Sequence, residues 1–552
     1  MRTTMENKKY LEILENLKQG FPRGESDPVH DAYVGFTIMR VLDQLDQMKS
    51  RAPFLGERTE NNYEAARKAT MDDDPKSVED VIPIIMQYLN GGDLWAHPLS
   101  QMNVTPPVSL PALIGNIITG ILSPNITWDE ASRKFAEVEV EVCSLVAEMV
   151  GYDKQRSIGW SVYGGSGAVL YGVKMMIAKA CREASQEGLR EDVKIIASDV
   201  AHSCKYNAVD WLGIGKKNLV TIPTDEDNSM LLEEMKQAVF DILDRGEKLG
   251  GFICTMGTTD AFGIDNISFI AGLRDHVVKK YNLDYRPHIH ADAVIGWAYT
   301  VFNDYNFEKN HLGFSKETLK SIYDTYLGME NIRLADSIGV DFHKTGYTQY
   351  ISTLFMLKDK NDLNYISRNK EDIPYIYQTG NYHPGLYTLE LSRSASGVFS
   401  ALANLRFLGK DGFRVLLSHP VEMANALRKK LKEEKSTTLL NRYNYGPVTL
   451  FRVYPEGVDA EEQYQKEIHD DSDEDLLKYN KFNNAFYLRI REESRKGNVA
   501  VLSETSQYRM AESGSPINAI KSYILTPFCE EETIDVLFDT IMEIKKEVEK
   551  SL

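Results

Sequence analysis

The feature that most restricts how this chain can fold is an alternation that begins near Gly151, where short apolar runs and amphipathic helical stretches take turns along the sequence. The runs at 193–197, 251–256, 287–291, 335–340 and 354–357 have the length and apolar content of strands. The stretches 230–243 and 267–278 between them carry apolar residues at helical spacing. A helix between two strands returns the chain to the edge where it started, so the strands it joins run parallel. The pattern predicts an α/β fold around a mostly parallel sheet, and ligands of such sheets bind beyond the carboxyl ends of the strands.

Polar residues just after each run are therefore the first candidates for chemistry. Gly164, Gly165, Ser166 and Gly167 open a helical stretch, where free N–H groups and the positive end of the helix dipole suit either a phosphate or a tight structural turn. His202 follows the run at 193–197. Thr258 and Thr259 follow the run at 251–256. Asp292, between Ala291 and Ala293, ends the run at 287–291 in surroundings so apolar that its carboxylate requires a cationic or hydrogen-bonding partner. Lys344 follows 335–340, and a partly desolvated lysine loses its proton and forms an imine more readily. Each residue alone is open to a structural reading. Together, in this order, they describe a site for pyridoxal 5'-phosphate.

Composition narrows the alternatives. The 63 Lys and Arg against 81 Asp and Glu give a net charge of −18, which repels a polyanion, so nucleic acid is not an expected partner. The five cysteines are odd in number and far apart, without metal-site or redox spacing, which points to a reducing cytoplasm. Neither a targeting signal nor a stretch of membrane-spanning length is apparent, and no membrane partner is expected. The acidic stretch 459–475 reads as a solvated loop. The expected organisation is an N-terminal helical arm over 1–105, a large domain over 106–410 and a small C-terminal α+β domain over 411–552.

Over roughly residues 90–410 the chain resembles the group II pyridoxal-phosphate-dependent decarboxylases, which act on glutamate, aspartate, tyrosine and other aromatic amino acids. The resemblance rests on Ser198-Asp-Val-Ala-His-Ser203, His290-Ala-Asp-Ala293, and Asp341-Phe-His-Lys344 followed by Thr345-Gly346-Tyr347. It implies fold type I, the aspartate aminotransferase-like architecture, in a homodimer with active sites at the interface. It further implies that Lys344 holds the cofactor as a Schiff base, Asp292 pairs with the ring nitrogen, His202 stacks on the ring, and Thr258 and Ala293 lie beside it. Gly165, Ser166 and His343 would hold the phosphate. The family segment similar to 388–397 makes Arg393 the substrate-carboxylate candidate, with a salt bridge as its structural alternative. A loop over 358–383 is the counterpart of one that supplies a catalytic tyrosine, Tyr375 before Tyr377. His97 and Asn103, with Trp95 and Gln101, are candidate substrate-pocket residues.

Two departures stand out. The interval from Asp292 to Lys344 is longer than in typical members, which implies an insertion near 302–326 similar to the tyrosine branch, and Gly167 stands where many members carry a larger residue. The Ser392-Arg393 context resembles the acidic-substrate branch. The expected activity is removal of the α-carboxylate from an acidic L-amino acid, aspartate or glutamate, with decarboxylation of an aromatic, tyrosine-like amino acid, or a lyase or aminotransferase reaction of the same fold, as the alternatives.

Overall fold

The computed structural model describes residues 7–374, 379–443, 445–469 and 472–551. Seven strands form the main sheet: β1 (Ile158–Val162), β2 (Val193–Ser198), β3 (Leu219–Ile222), β4 (Lys248–Thr255), β5 (His288–Asp292), β6 (Ser337–Asp341) and β7 (Thr353–Leu357). Their order is β1-β7-β6-β5-β4-β2-β3. β2 to β6 pair in parallel, whereas β7 runs antiparallel to both of its neighbours. Every residue of β5, β6 and β7 is buried. Helices cover both faces of the sheet, which is why these strands read as unbroken apolar runs instead of alternating ones.

The helix Gly164–Ala180 lies directly on the sheet. It does so because Gly172 has no side chain: a Cβ there would stand 2.5 Å from the ring of His290 on β5. This close approach sets the start of the helix over the carboxyl edge of the strands.

A second, antiparallel sheet in the order β10-β11-β9-β8 comprises β8 (Thr437–Leu439), β9 (Val448–Val453), β10 (Ser503–Met510) and β11 (Pro516–Tyr523). The helices Glu474–Arg495 and Glu531–Ser551 pack on it through Phe486, Ile490, Ile541 and Ile544. The helix Ser396–Glu433 connects the two sheets and is broken at Gly409, where φ is 55°, a conformation that glycine adopts without the steric cost of a Cβ.

The acidic stretch corrects the sequence expectation. It forms the helix Ala460–His469 and the start of Glu474–Arg495, and Glu467 is buried, 3.0 Å from Arg452 of β9. Ala460, Tyr464 and Glu467 share one helical face and are all buried. The carboxylate is inside because a buried guanidinium requires one.

The helix Leu110–Leu122 has an inverted polarity. Ser109 caps it by accepting the N–H of Ala112, and its inward face is made of the small residues Ala112, Gly115 and Thr119. Leu110, Ile114, Ile117, Ile121 and Leu122 face outward and are exposed. Among the described residues no helix is long and apolar enough to cross a membrane, and no group of three or more His, Cys, Asp and Glu side chains is placed to hold a metal ion.

Candidate active site

The site is built where the central strands end. Asp292 is the last residue of β5 and Asp341 the last of β6. After Asp341 the chain makes the loop carrying Lys344 and returns as β7, with Asp341 and Thr353 opposite each other in the register. The Thr353 hydroxyl donates to Asp341 Oδ1 at 2.6 Å, and Lys344 Nζ lies 3.0 Å from Asp341 Oδ2. Sequence reasoning gave Asp341 no role, because only the sheet shows that Thr353 and Lys344 both reach it.

Burial lowers the proton affinity of Lys344, but Asp341 first and Asp292 second raise it, and the outcome lies above the ordinary lysine value. This corrects the expectation that desolvation alone would free the amine: two carboxylates outweigh it. Asp292 itself is 5% exposed. Burial pushes its carboxyl up, against the pull of Lys344 and His202, and its buried Oδ1 has no hydrogen-bond partner among the described residues.

The helix Gly164–Ala180 begins beside these groups, and no side chain caps its N-terminus. A Cβ on Gly165 would stand 3.0 Å from Val294 and 3.1 Å from Asp341 Oδ2. The turn therefore touches both strand ends. Cys204 ties it further to the site: burial and the charge of Asp292 push the thiol up to about 12, while Lys344 and a hydrogen bond with Ser166 oppose them.

His202 is exposed, and its Nδ1 accepts the N–H of Cys204 at 3.2 Å. An acceptor at Nδ1 places the proton of the neutral ring on Nε2. Ala293 is fully buried. Thr258 turns inward, its hydroxyl oxygen accepting the N–H groups of Ala261 and Gly263, which leaves only the hydroxyl proton for any ligand. His343 is held between Ser352 O, 3.0 Å from its Nδ1, and Asp341, 3.5 Å from its Nε2. Tyr375 and Tyr377 lie outside the described residues.

The segment with His97 docks on the small domain: the N–H of Tyr523 donates to Gln101 O at 2.8 Å, and Gln101 Oε1 accepts from Ser522 at 2.8 Å. Its continuation passes the lysine loop, with Thr105 Oγ1 3.5 Å from Tyr350 Oη and Ser109 N–H donating to Tyr347 O at 3.1 Å. Asn103 is exposed at the start of that passage.

Arg393 requires a correction. Its guanidinium is buried, 2.5 Å from Glu139 Oε1, and donates to Ile126 O at 3.0 Å and Ser161 Oγ at 3.2 Å. Glu139 also accepts from Ser161 N–H and Tyr382 Oη, each at 2.8 Å. The arginine is the hub of a buried tie and is not free to grip a substrate carboxylate. Arg393→Met should lower unfolding free energy in urea by about 3–5 kcal/mol, because it strands a buried carboxylate. An unchanged urea midpoint would remove this role.

Pyridoxal phosphate requires an amine for its aldehyde, a carboxylate for its ring nitrogen and an anion seat for its phosphate. Lys344, the partnerless Asp292 Oδ1 and the uncapped glycine-rich helix start fit all three. The pyridoxal-dependent decarboxylase conserved domain matches residues 61–453.

The chain belongs to the pyridoxal-dependent decarboxylase family.

Relatives include L-2,4-diaminobutyrate decarboxylase of Acinetobacter baumannii, 24% identical over 68% of this chain and 71% of that protein. L-tyrosine decarboxylase of Enterococcus faecium is 27% identical over 46% of this chain and 43% of its own length. The solved glutamate decarboxylase domain of a Vibrio parahaemolyticus diaminobutyrate-pyruvate transaminase and L-2,4-diaminobutyrate decarboxylase shares the fold, with TM-score 0.72 and 18% identity over 97% of this chain and 99% of that one. This pyridoxal-dependent decarboxylase is thus a carboxy-lyase that uses pyridoxal phosphate, in the fold type I architecture with a smaller C-terminal sheet domain.

Proposed function

We propose that this pyridoxal-dependent decarboxylase removes the α-carboxylate of an acidic L-amino acid, aspartate or glutamate. The observation that supports the side-chain class is a cavity of about 380 Å³ beside the lysine loop, where Asn116, Ser161, Gln349, Ser352, Thr353 and Ser392 join Tyr163, Tyr350, Ile351 and Glu390 in the lining. Hydroxyl and amide groups suit a carboxylate side chain better than an aromatic ring. Arg393 borders the same cavity, but its guanidinium is committed to Glu139, Ile126 and Ser161, so in this reading the hydroxyl and amide groups carry the recognition.

When bound, pyridoxal phosphate supplies the electron sink for the pair left behind as carbon dioxide departs. The chain supplies everything else in this reading. Lys344 would hold the cofactor, Asp292 would keep its ring nitrogen protonated, and the N–H groups at Gly165 and Ser166 would hold its phosphate. His202 would pack against the ring, and Tyr375 would serve as proton donor to the α-carbon.

A second reading, L-2,4-diaminobutyrate, is favoured by Glu390, a carboxylate on the same cavity whose Oε2 accepts from Tyr171 at 2.8 Å. The test is carbon dioxide and amine release by cofactor-loaded protein from L-aspartate, L-glutamate, L-2,4-diaminobutyrate, L-tyrosine and L-tryptophan. The highest kcat/KM on aspartate or glutamate supports the proposal, and preference for any of the others overturns the side-chain class. Turnover that requires a 2-oxo acid overturns the reaction.

The outward face of Leu110–Leu122 supports a homodimer, since contiguous apolar surface on one helix is covered in the functional state. Ile117→Glu should convert a dimer to a monomer in light scattering at micromolar concentration; a wild-type monomer would sink the proposal. The five unpaired cysteines support a cytoplasmic location.

A further inference from the structure

We propose that Lys205 is a positioning residue that holds the turn carrying His202 in place over the cofactor site. The inference rests on the decarboxylase reading for its catalytic consequence, but not for the clamp itself. Lys205 lies in the first turn of the helix Cys204–Trp211 and is 1% exposed. Its ammonium reaches back to the end of β2 and donates to Ser198 O at 2.8 Å, Asp199 O at 2.7 Å and Ala201 O at 2.9 Å. Three donors meet three acceptors, and the lysine does what a bound monovalent cation would do for converging carbonyls.

Such convergence is unfavourable without a cation, because the carbonyl dipoles repel one another at their negative ends. Burial is resisted by the charge: it lowers the ammonium to about 8, with Asp199 opposing. The chain therefore accepts a buried cation in order to fix this turn. What the turn fixes is His202. Cys204 N–H donates to its ring and Lys205 N–H to its carbonyl, each at 3.2 Å, so both bonds come from the residue bearing the clamp and the one before it. A methionine in place of Lys205 keeps the length and apolar stem but removes the ammonium from all three carbonyls, leaving Ser198 O only the N–H of Ala201 at 3.2 Å.

The experiment has two arms. Hydrogen exchange on Lys205→Met, without and with pyridoxal phosphate, should show amides of 199–206 exchanging at least about tenfold faster while the central strands are unchanged. Turnover of the loaded enzyme should fall roughly 10- to 100-fold in kcat with KM nearly constant, whereas adding the substitution to His202→Gln should change kcat less than about twofold, as expected of residues acting as one unit. Unchanged exchange over 199–206 overturns the clamp, and equal losses in both backgrounds overturn its action through His202. Should no amino acid be decarboxylated, the proposed function fails, and the exchange arm still decides the clamp.

Discussion

Lys344→Ala is expected to abolish decarboxylation, lowering kcat by about 10³-fold or more, and to leave protein that borohydride no longer links to pyridoxal phosphate at residue 344. The amine of Lys344 faces both buried carboxylates of the strand-end site, Asp341 at 3.0 Å and Asp292 within electrostatic reach. In the proposed reading its removal would delete the covalent anchor, and it takes away the ammonium that faces both carboxylates. The folded structure should survive, because the loop is fixed elsewhere: Thr345 donates to Ile295 O at 2.8 Å and Asn404 donates to Gly346 O at 2.6 Å. Retained borohydride labelling in the variant, located on another lysine by peptide mapping together with retained turnover, would move the anchor away from Lys344.

Asp292→Asn is expected to lower kcat by about 10³-fold while the ligand-free protein keeps or gains stability. The two effects have opposite signs for one reason. In the ligand-free protein Asp292 shares its cation, Lys344, with the nearer Asp341, and one of its buried oxygens has no hydrogen-bond partner among the described residues, so a neutral amide of the same shape relieves a costly charge. In the proposed reading the loaded protein would, by contrast, depend on a negative charge at Asp292 to keep the ring nitrogen protonated, and an amide supplies none. Urea midpoints of ligand-free protein and kcat of loaded protein separate the two. A variant both less stable and fully active would show that Asp292 is a structural carboxylate.

Much of this site is legible in the sequence because the sheet forces it to be. Strands buried on both faces must be apolar, so a carboxylate that ends one stands out, as Asp292 does, and a histidine shortly after another, His202, draws notice in the same way. The position of Lys344 is legible for the same reason. Other features depend on distance in space that the sequence does not carry. The partner of Arg393 is Glu139, 254 residues away, and no local pattern announces that pairing. β3 has only four residues, and β1 mixes glycine, tryptophan and serine into its run, so neither presents a strand pattern. The reversal of β7 is silent as well, although it brings Thr353 to Asp341. Glu467 misleads in the opposite direction: a run of acids suggests solvent until Arg452 is seen opposite it.

The return of β7 beside β6 has a kinetic consequence. Lys344 is fastened in a loop whose two ends meet at the Asp341–Thr353 pair. If Lys344 is the residue that would hold pyridoxal phosphate, a loop fastened at both ends would keep its amine beside Asp341 whether or not it is bonded, at an effective concentration far above that of any amine in solution, of the kind that reaches about 10⁵ M or more in well-oriented intramolecular reactions. Its return to the cofactor would then be a local event, set by the geometry of two neighbouring strands and insensitive to how much free amine the solution contains.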